Sequence, residues 1–276
     1  MAEEDDEAPR GPMKPYENPR FMNSPGARSL RILSEYVEPQ SRFQRFEVED
    51  TIVFFGSARL VSTTEAEAEV AAAKGKGEKL EAVAAKKLNN AKYYEATRDL
   101  AFRLTEWSKG LGGDHKRFVV CSGGGPGIME AANRGASEAR GMNIGLNISL
   151  PFEQIDNPYI TRELNFEFHY FFMRKFWFVY LAKALIIMPG GFGTLDELFE
   201  VLTLQQTGKI RKPMPIVLFG ADYWSKVINF DALVEFGTIS PEDLDLFLLT
   251  DSVEEAFDYL TEELMKHALQ QPGAHL

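Results

Sequence analysis

Short apolar runs alternate with longer stretches of helical periodicity along most of the chain. The apolar runs predict strands at residues 51–55, 118–121, 143–150, 185–188, 215–219 and 246–249. Apolar residues three and four positions apart predict helices at residues 29–45, 93–107, 128–140, 171–182, 195–207 and 252–264. Because short buried strands separated by helices are typical of parallel sheets covered on both faces, the pattern predicts an α/β fold with a Rossmann-like, doubly wound parallel sheet.

Two regions differ from this alternating pattern in composition. Residues 1–28 are rich in proline, glycine and charge, so we expect residues 1–45 to form a disordered, partly helical N-terminal extension. A single Rossmann-like domain is predicted over residues 46–270. Within it, residues 60–92 are rich in Ala, Glu and Lys, and we interpret them as an insertion that forms two short helices or a flexible excursion.

The charge balance limits the kinds of partner. The chain has 276 residues, and 41 Asp and Glu against 30 Lys and Arg give a net charge of −11. Because binding to a phosphate backbone normally needs a basic surface, we expect no nucleic-acid partner. The most apolar segment, 176–188, is too short to span a bilayer and contains Lys183, and the N-terminus has no secretory signal pattern. We therefore expect no membrane association and a cytoplasmic location, which the single cysteine, Cys121, also suits.

The residue types that bind metals are scattered through the sequence. His115, His169, His267 and His275 show no ligand spacing, and Cys121 has no cysteine partner. The sequence therefore predicts no metal and no other cofactor.

The clearest chemical signal is a glycine-rich segment, Pro189 to Glu197, between a predicted strand and a predicted helix. Glycines let the backbone approach a ligand closely, and the amides at a helix start favour a phosphate. Taken alone, Thr194 and Glu197 also fit a capping box, which would satisfy backbone donors at the helix start. Residues three apart share a helix face, so a phosphate near Thr194 would place the next part of the ligand near Glu197.

A second glycine cluster, Ser122 to Gly127, also follows a predicted strand and precedes a helix. A dinucleotide fingerprint counted from Gly123 would need glycine at position 128, where the sequence has Ile128. The cluster is therefore either part of a phosphate site of another kind or simply a tight strand-to-helix turn.

Arg174 and Lys175 are the only full charges between Phe168 and Ala182. A helix that is apolar on nearly all sides is buried in its domain or against another subunit. Charges in that setting need a partner, which is either a carboxylate or a ligand phosphate. The alternatives are a structural ion pair or a Lys175 side chain that reaches solvent.

Three segments, in this order, resemble the Lonely Guy family of nucleoside 5′-monophosphate phosphoribohydrolases, many of which carry an older label as lysine decarboxylases. The segments are Gly123–Met129 (GGGPGIM), Met173–Lys175 (MRK) and Pro189–Glu197 (PGGFGTLDE). The resemblance covers about residues 48–265. It implies a nucleotide-binding catalytic domain that hydrolyses the N-glycosidic bond of AMP or a cytokinin riboside monophosphate, releasing the base and ribose 5-phosphate. It also implies a homodimer or higher homo-oligomer with the active site near the interface.

Matched onto this sequence, the family pattern implies that Arg174 and Glu197 are catalytic. The residues expected to bind substrate, mainly its phosphate, are Gly56, Ser57, Gly124, Gly125, Met173, Lys175, Gly190, Gly191, Gly193 and Thr194. Glycosidic cleavage passes through a sugar cation, so a carboxylate such as Glu197 can stabilise that charge, hold the hydroxyls or orient water. Since arginine does not give up its proton, Arg174 would act by charge and hydrogen bonding.

The sequence departs from the shorter members of the family at a few positions. Phe171 and Phe172 occupy the places of a Met and a His, and Glu130 stands where many members have glycine. The main alternative function is a non-catalytic carrier or sensor of a phosphorylated ligand, such as a pterin cofactor or a signalling nucleotide, and lysine decarboxylation is a third. Glu197 favours the hydrolase, because a carrier needs the glycine turns but has no use for a carboxylate beside the ribose.

Overall fold

The computed structural model describes residues 12–113, 116–150 and 157–273. The chain divides into two compact units between Ser41 and Arg42. The acidic run at residues 3–7, together with His115 and His275, lies outside the described residues. No helix in the described ranges is both long enough and apolar enough to cross a bilayer.

The first unit consists of short helical segments. Its regular elements are two 3₁₀ turns, Pro15–Glu17 and Pro25–Ala27, and the helices α1 (Pro19–Met22) and α2 (Arg28–Arg45), the last of which continues across the division. Asn18 caps α1, because its side-chain oxygen accepts the Phe21 amide at 3.2 Å. Arg31 donates to the carbonyls of Met22 and Ser24 at 2.5 and 2.8 Å. The helix predicted at residues 29–45 is confirmed, and disorder in the rest of the extension stays a prediction.

In the second unit, the described residues form one seven-stranded parallel sheet. The strands are β1 (Thr51–Phe55), β2 (Val119–Ser122), β3 (Asn143–Ile148), β4 (Asn165–Phe168), β5 (Ala182–Ile187), β6 (Ile216–Phe219) and β7 (Leu248–Thr250). Their spatial order is β4-β3-β2-β1-β5-β6-β7, and every neighbouring pair is parallel. The chain builds the sheet outward from β1 to β4 and then returns to place β5 on the other side of β1. This order confirms the predicted doubly wound fold and puts the reversal point between β1 and β5.

Helices connect these strands. They are α3 (Thr63–Ala73), α4 (Glu78–Gly110), α5 (Ile128–Glu138), α6 (Phe171–Tyr180), α7 (Phe192–Gln206), α8 (Ala221–Val227), α9 (Phe230–Glu235) and α10 (Val253–Glu263), with 3₁₀ turns at Arg162–Leu164 and Pro241–Leu246 and a π turn at Leu264–Ala268. The core combines central-strand residues such as Phe54 and Ile186 with helix residues such as Leu100, Ile128 and Leu260, all fully buried. Burial of these apolar side chains between the sheet and the helices stabilises the domain.

The Ala/Glu/Lys-rich stretch is helical, but its second helix was predicted with the wrong length. Helix α4 runs for 33 residues through the boundary predicted at residue 92. The composition changes there while the preference for helix does not, so nothing ends the helix. Helix α3 lies against α4: the Lys87 ammonium is 2.6 Å from the Glu69 carboxylate, and Ala66 is fully buried. That this stretch is an insertion stays a prediction.

Strand β4 and helices α8 and α9 were not predicted. In β4 the two phenylalanines, Phe166 and Phe168, are buried, whereas the residues that alternate with them, Asn165 and Glu167, are exposed. Alternation over four residues is too short to distinguish an edge strand from a loop. The two helices are of seven and six residues, below the length at which apolar periodicity can be recognised.

Candidate active site

Three predicted ligand-binding turns meet where the strand order reverses. They follow β1, β2 and β5, and in open parallel sheets the ligand crevice lies beyond the strand ends at this point. The Ser57 amide donates to the Pro189 carbonyl at 3.0 Å, and the Ile128 amide donates to the Ser57 carbonyl at 3.1 Å. Gly56 and Ser57 therefore lie between the two glycine clusters and connect them.

Close approach of the backbone explains the glycines on the side of β1 and β2. A Cβ on Gly56 would lie 2.5 Å from the Ile128 Cγ2 atom. One on Gly127 would lie 2.5 Å from the Ser57 carbonyl, and Gly127 also has a φ of +70°. Only glycine fits at both positions, so these two residues set the distance between the loop after β1 and the start of α5.

A buried polar network holds the turn after β2. Gly124, whose φ is +73°, donates its amide to the Ser122 hydroxyl at 3.0 Å, and that hydroxyl donates to Asn133 Oδ1 at 2.6 Å. Asn157 Nδ2 donates to the same oxygen at 3.0 Å, and Asn133 Nδ2 donates to Asn143 Oδ1 at 2.9 Å. Asn133 was not among the predicted site residues. The only sequence signal was an amide side chain on the apolar face of α5.

Replacement of Asn133 by alanine should destabilise the protein substantially. The buried hydroxyl and amides of Ser122, Asn143 and Asn157 would lose partners, and each unsatisfied buried group costs about 1–3 kcal/mol. We expect the free energy of unfolding to fall by roughly 2–4 kcal/mol, measured by urea denaturation. Asn229, which caps the exposed start of α9, is the control, and Asn229→Ala should cost about 1 kcal/mol. Equal losses in the two variants would contradict the importance of the network.

The turn after β5 opens α7 in a way the sequence did not indicate. The N-cap is Gly191 and the helix begins at Phe192, so Thr194 lies inside the first turn. The capping box between Thr194 and Glu197 is therefore not formed, because Thr194 is not at the N-cap position. The Leu195 amide bonds to the Gly191 carbonyl at 3.0 Å, so the amides of residues 192–194 precede the first intrahelical bond. Such amides at the positive end of a helix form an anion-binding arrangement.

The three glycines of this turn differ in what surrounds them. A Cβ on Gly190 would collide with the Thr194 side chain, whereas a Cβ on Gly191 or Gly193 would meet nothing within 4 Å. Protein packing therefore requires glycine at 190 only, and the space beside the other two is open to a ligand. Tyr223, in α8, holds the turn by donating its hydroxyl to the Gly190 carbonyl at 2.6 Å. Because α8 was not predicted, Tyr223 could not be identified from the sequence.

Helices α6 and α7 bring the two predicted catalytic residues together. The Glu197 side chain is only 5% exposed, and its Oε1 atom lies 3.9 Å from Arg174 Nη2. Within the described residues, Glu197 Oε2 and Arg174 Nε are buried without a hydrogen-bond partner. Buried polar atoms are normally paired, so an unpaired donor and an unpaired acceptor on these two neighbouring side chains indicate a site for a polar ligand.

Burial changes the acid–base behaviour of this pair. It raises the pKa of Glu197 to about 7, although the nearby charges of Lys175 and Arg174 lower it in part. Burial also lowers the pKa of the Arg174 guanidinium, and Glu197 opposes that shift. A carboxyl group with a pKa near 7 can both accept and release a proton at neutral pH. Such shifted pKa values are typical of functional sites.

Lys175 and Met173, the neighbours of Arg174, lie differently from what was expected of phosphate ligands. Lys175 Nζ is 2.8 Å from Asp196 Oδ2 and 2.5 Å from Glu200 Oε2, so its ammonium group is held by carboxylates of α7. Met173 is 8% exposed and belongs to the buried side of α6. A direct role for either residue in binding phosphate stays a prediction.

Exposed aromatic side chains lie at the starts of α6 and α7. Phe171 and Phe172 at the start of α6 are 52% and 54% exposed, and Phe192 is 93% exposed. An open groove, formed along one side of α7 and reaching Lys175, is lined by Lys175, Phe192, Leu195, Asp196, Phe199, Glu200, Thr203 and Leu204. Neither Glu197 nor the glycines of the turn line it.

No group of three or more His, Cys, Asp or Glu side chains among the described residues is arranged to hold a metal ion. The one cysteine, Cys121, is buried in β2, and burial raises the pKa of its thiol.

Comparisons with known proteins agree with this arrangement of motifs. A family model described as "Possible lysine decarboxylase" matches residues 129–260, which include α6, α7 and both predicted catalytic residues. A probable cytokinin riboside 5′-monophosphate phosphoribohydrolase of Arabidopsis thaliana is 28% identical over 65% of this chain and 85% of its own length. A probable cytokinin riboside 5′-monophosphate phosphoribohydrolase of rice, Oryza sativa subsp. japonica, is 36% identical over 31% of this chain and 41% of its own length. The chain is similar to the phosphoribohydrolases of the Lonely Guy family, over a stretch that includes both predicted catalytic residues.

The match to the rice relatives covers only part of their length. The matched stretches span 41% and 35% of the length of two rice proteins with the same description, so less than two thirds of either is covered. Two solved structures to which the chain is similar are a molybdenum cofactor binding protein from Rippkaea orientalis and the Moco carrier protein from Chlamydomonas reinhardtii. They are 15% and 16% identical, cover 77% and 79% of this chain and 94% and 99% of their own chains, and have TM-scores of 0.45 and 0.44.

Proposed function

We propose that this protein hydrolyses the N-glycosidic bond of a purine nucleoside 5′-monophosphate, AMP or a cytokinin riboside monophosphate, to the free base and ribose 5-phosphate. The observation that carries the proposal is Glu197, a buried carboxylate with an open oxygen, one turn beyond amides arranged for a phosphate. The named activity of the curated relatives supports the same chemistry. Carrying a phosphorylated ligand would not require this buried carboxylate.

The spacing on α7 fits a nucleoside 5′-phosphate. With the phosphate on the amides of residues 192–194, the ribose would lie over the next turn of the helix. Side chains three residues apart on a helix are about 5–6 Å apart at Cβ, so Glu197 would lie beside the sugar when Thr194 is beside the phosphate. The open space at Gly191 and Gly193 allows the phosphate to approach the backbone.

Each catalytic residue then has a role that its environment permits. The ionised Glu197 stabilises the positive charge that develops on the ribose as the bond to the base breaks. Because its pKa is raised to about 7, Glu197 can also accept a proton from the attacking water. Arg174 remains charged and contributes through its charge and its open Nε donor, to the phosphate, the base or Glu197 itself.

The test is to incubate the purified full-length protein with AMP, GMP, CMP and a cytokinin riboside monophosphate and to measure free base by chromatography. Release of adenine or the cytokinin base, and little from CMP, is the expected result. Saturable nucleotide binding without any release of base would contradict the hydrolase and leave the carrier. A separate reaction with lysine and pyridoxal phosphate checks the decarboxylase label, and carbon dioxide release there alone would reverse the assignment.

The proposed functional form is a homodimer or higher homo-oligomer with the site near the interface. It is supported by the exposed aromatic side chains of α6 and α7, since large exposed aromatic residues are enriched in interfaces. Cytoplasmic location is proposed with it.

Phe172→Glu should therefore dissociate the oligomer. A charge placed at the centre of an apolar interface would be buried without a partner, which we expect to weaken association by at least about tenfold. Light scattering coupled to size-exclusion chromatography measures the mass directly. Phe236, which follows α9 and is 82% exposed, supplies the control, and Phe236→Glu should leave the mass unchanged. A monomeric parent protein, or an unchanged mass in both variants, would contradict this interface.

A further inference from the structure

Lys175 lies between three carboxylates of α7, at unequal distances. Its Nζ atom is 2.5 Å from Glu200 Oε2 and 2.8 Å from Asp196 Oδ2, but 3.9 Å from Glu197 Oε2. Asp196 and Glu200 are four residues apart, so they share one face of the helix and hold the ammonium group from both sides. Glu197 is close enough for its carboxylate to interact electrostatically with the Lys175 ammonium group, although no hydrogen bond joins them.

The three carboxylates also differ in exposure. The Asp196 and Glu200 side chains are 61% and 33% exposed, whereas the Glu197 side chain is 5% exposed. Water and salt screen the interactions of the exposed pair, but a buried charge is screened much less. Lys175 therefore acts on Glu197 through its charge, while Asp196 and Glu200 determine where that charge is placed.

A phosphate ligand role fits Lys175 poorly. Two of the three N–H donors of its ammonium group face carboxylates, and an anion brought to it would lie against Asp196 and Glu200. Lys175 also lines the groove along α7, whose lining residues include neither Glu197 nor the glycines of the turn.

We propose that Lys175 is a positioning residue for Glu197 and not a phosphate ligand: Asp196 and Glu200 hold its ammonium group at a fixed distance, from which its charge controls how readily Glu197 loses a proton. The effect of the Lys175 charge on the ionisation of Glu197 depends only on this geometry. Any effect of Lys175 on turnover rests on the proposed hydrolysis. The other charged group facing Glu197 is Arg174 on α6, which all the test variants retain.

Two changes should move the titration of Glu197 in opposite directions. Lys175→Met keeps the length and apolar stem of the side chain but removes the charge, so the midpoint should rise by about one pH unit or more. The double change Asp196→Asn and Glu200→Gln removes two like charges and lets the ammonium group approach Glu197, so the midpoint should fall. Lys175→Arg keeps the charge and should leave the midpoint close to that of the parent.

The measurement does not need turnover. The full-length protein is labelled with ¹³C at the glutamate carboxyl groups, and the Glu197 signal is the one that Glu197→Gln lacks. Its chemical shift is followed with pH in the parent and in each variant. The matched control is Lys226→Met, because Lys226 forms an exposed pair with Asp222 at 2.5 Å and should not affect Glu197. A Glu197 midpoint that does not respond to either the Lys175 or the double change would overturn the proposal.

Binding of ribose 5-phosphate separates the two roles of Lys175 independently. We expect Lys175→Met to keep the dissociation constant of the parent within a few-fold. A loss of tenfold or more, with the Glu197 midpoint unmoved, would make Lys175 a phosphate ligand after all. If the parent releases base, the pH profile of the rate should shift in Lys175→Met in the same direction as the Glu197 midpoint. If the parent releases no base, the Glu197 titration alone tests whether Lys175 controls the ionisation of Glu197. Failure of the proposed hydrolase and failure of the proposed role of Lys175 therefore remain distinguishable.

Discussion

Glu197→Gln should nearly abolish release of the base and at the same time stabilise the protein at mildly alkaline pH. Glutamine keeps the shape of the side chain but cannot carry the charge that stabilises the sugar cation, nor accept a proton from water. Groups with such roles typically contribute about 10²–10⁴-fold to the rate. Chromatographic assay of the free base from AMP measures the loss, and the dissociation constant of ribose 5-phosphate should change far less than the rate.

The gain in stability follows from the sign of the pKa shift. Burial raises the pKa of Glu197 to about 7, so the folded protein holds this proton more tightly than the unfolded chain does. The parent therefore loses stability as the pH rises from the unfolded pKa of about 4.5 to the folded value near 7. Glutamine does not titrate, so above neutrality the variant should be more stable by about 1–3 kcal/mol, and below about pH 5 the difference should disappear.

The control for this experiment is Glu106→Gln. Glu106 is on α4, is 49% exposed and pairs with Lys109 at 2.7 Å. It should retain full activity and show no comparable pH-dependent gain in stability. A Glu197→Gln protein that released base at a tenth of the parental rate or faster would contradict this prediction.

Gly193→Ala and Gly190→Ala should separate ligand binding from folding. A Cβ at 193 meets no protein atom within 4 Å, and alanine favours helix over glycine by up to about 1 kcal/mol, so the fold should be unchanged or slightly more stable. The methyl group would occupy the space through which the phosphate approaches the amides of α7. Because small displacements in such a site have large effects, we expect ribose 5-phosphate binding and turnover to fall by roughly 10–100-fold.

Gly190→Ala should mainly lower the stability of the fold, whereas Gly193→Ala should mainly weaken ligand binding. The methyl group at position 190 would collide with the Thr194 side chain, so the variant should lose about 1–3 kcal/mol of stability, as overpacked positions do. Calorimetric titration with ribose 5-phosphate and urea denaturation, applied to both variants, test the contrast. If Gly193→Ala bound ribose 5-phosphate as tightly as the parent, the phosphate would have to bind elsewhere.

The reversal point of the sheet explains why distant parts of the chain contribute to one site. Gly56 follows β1, Gly124 follows β2 and Gly190 follows β5, and these three strands are neighbours at the centre of the sheet. Parallel strands direct their C-terminal ends to the same edge, so the turns meet although long segments separate them along the chain. Helix α6 then places Arg174 beside α7, which carries Glu197.

The sequence by itself determined the fold class, most of the strands and helices, and the two glycine turns. Alternation of apolar runs with helical periodicity is a local property that follows from backbone geometry, and glycines after an apolar run indicate a tight turn without any knowledge of the rest of the chain. The sequence determined the ends of the individual helices and strands less well. Glycine is compatible with both extended and helical backbone, so the start of α7 at Phe192 could not be inferred from a segment with three glycines.

Only the tertiary structure decided which residues act on one another. The burial of Glu197, its separation from Arg174 and the attachment of Lys175 to Asp196 and Glu200 all depend on how α6 packs against α7. The same holds for Asn133 and Tyr223, whose partners in the glycine turns come from other elements. A pKa or a hydrogen bond is a property of the surroundings, and for a buried side chain those surroundings come from residues far away in the sequence.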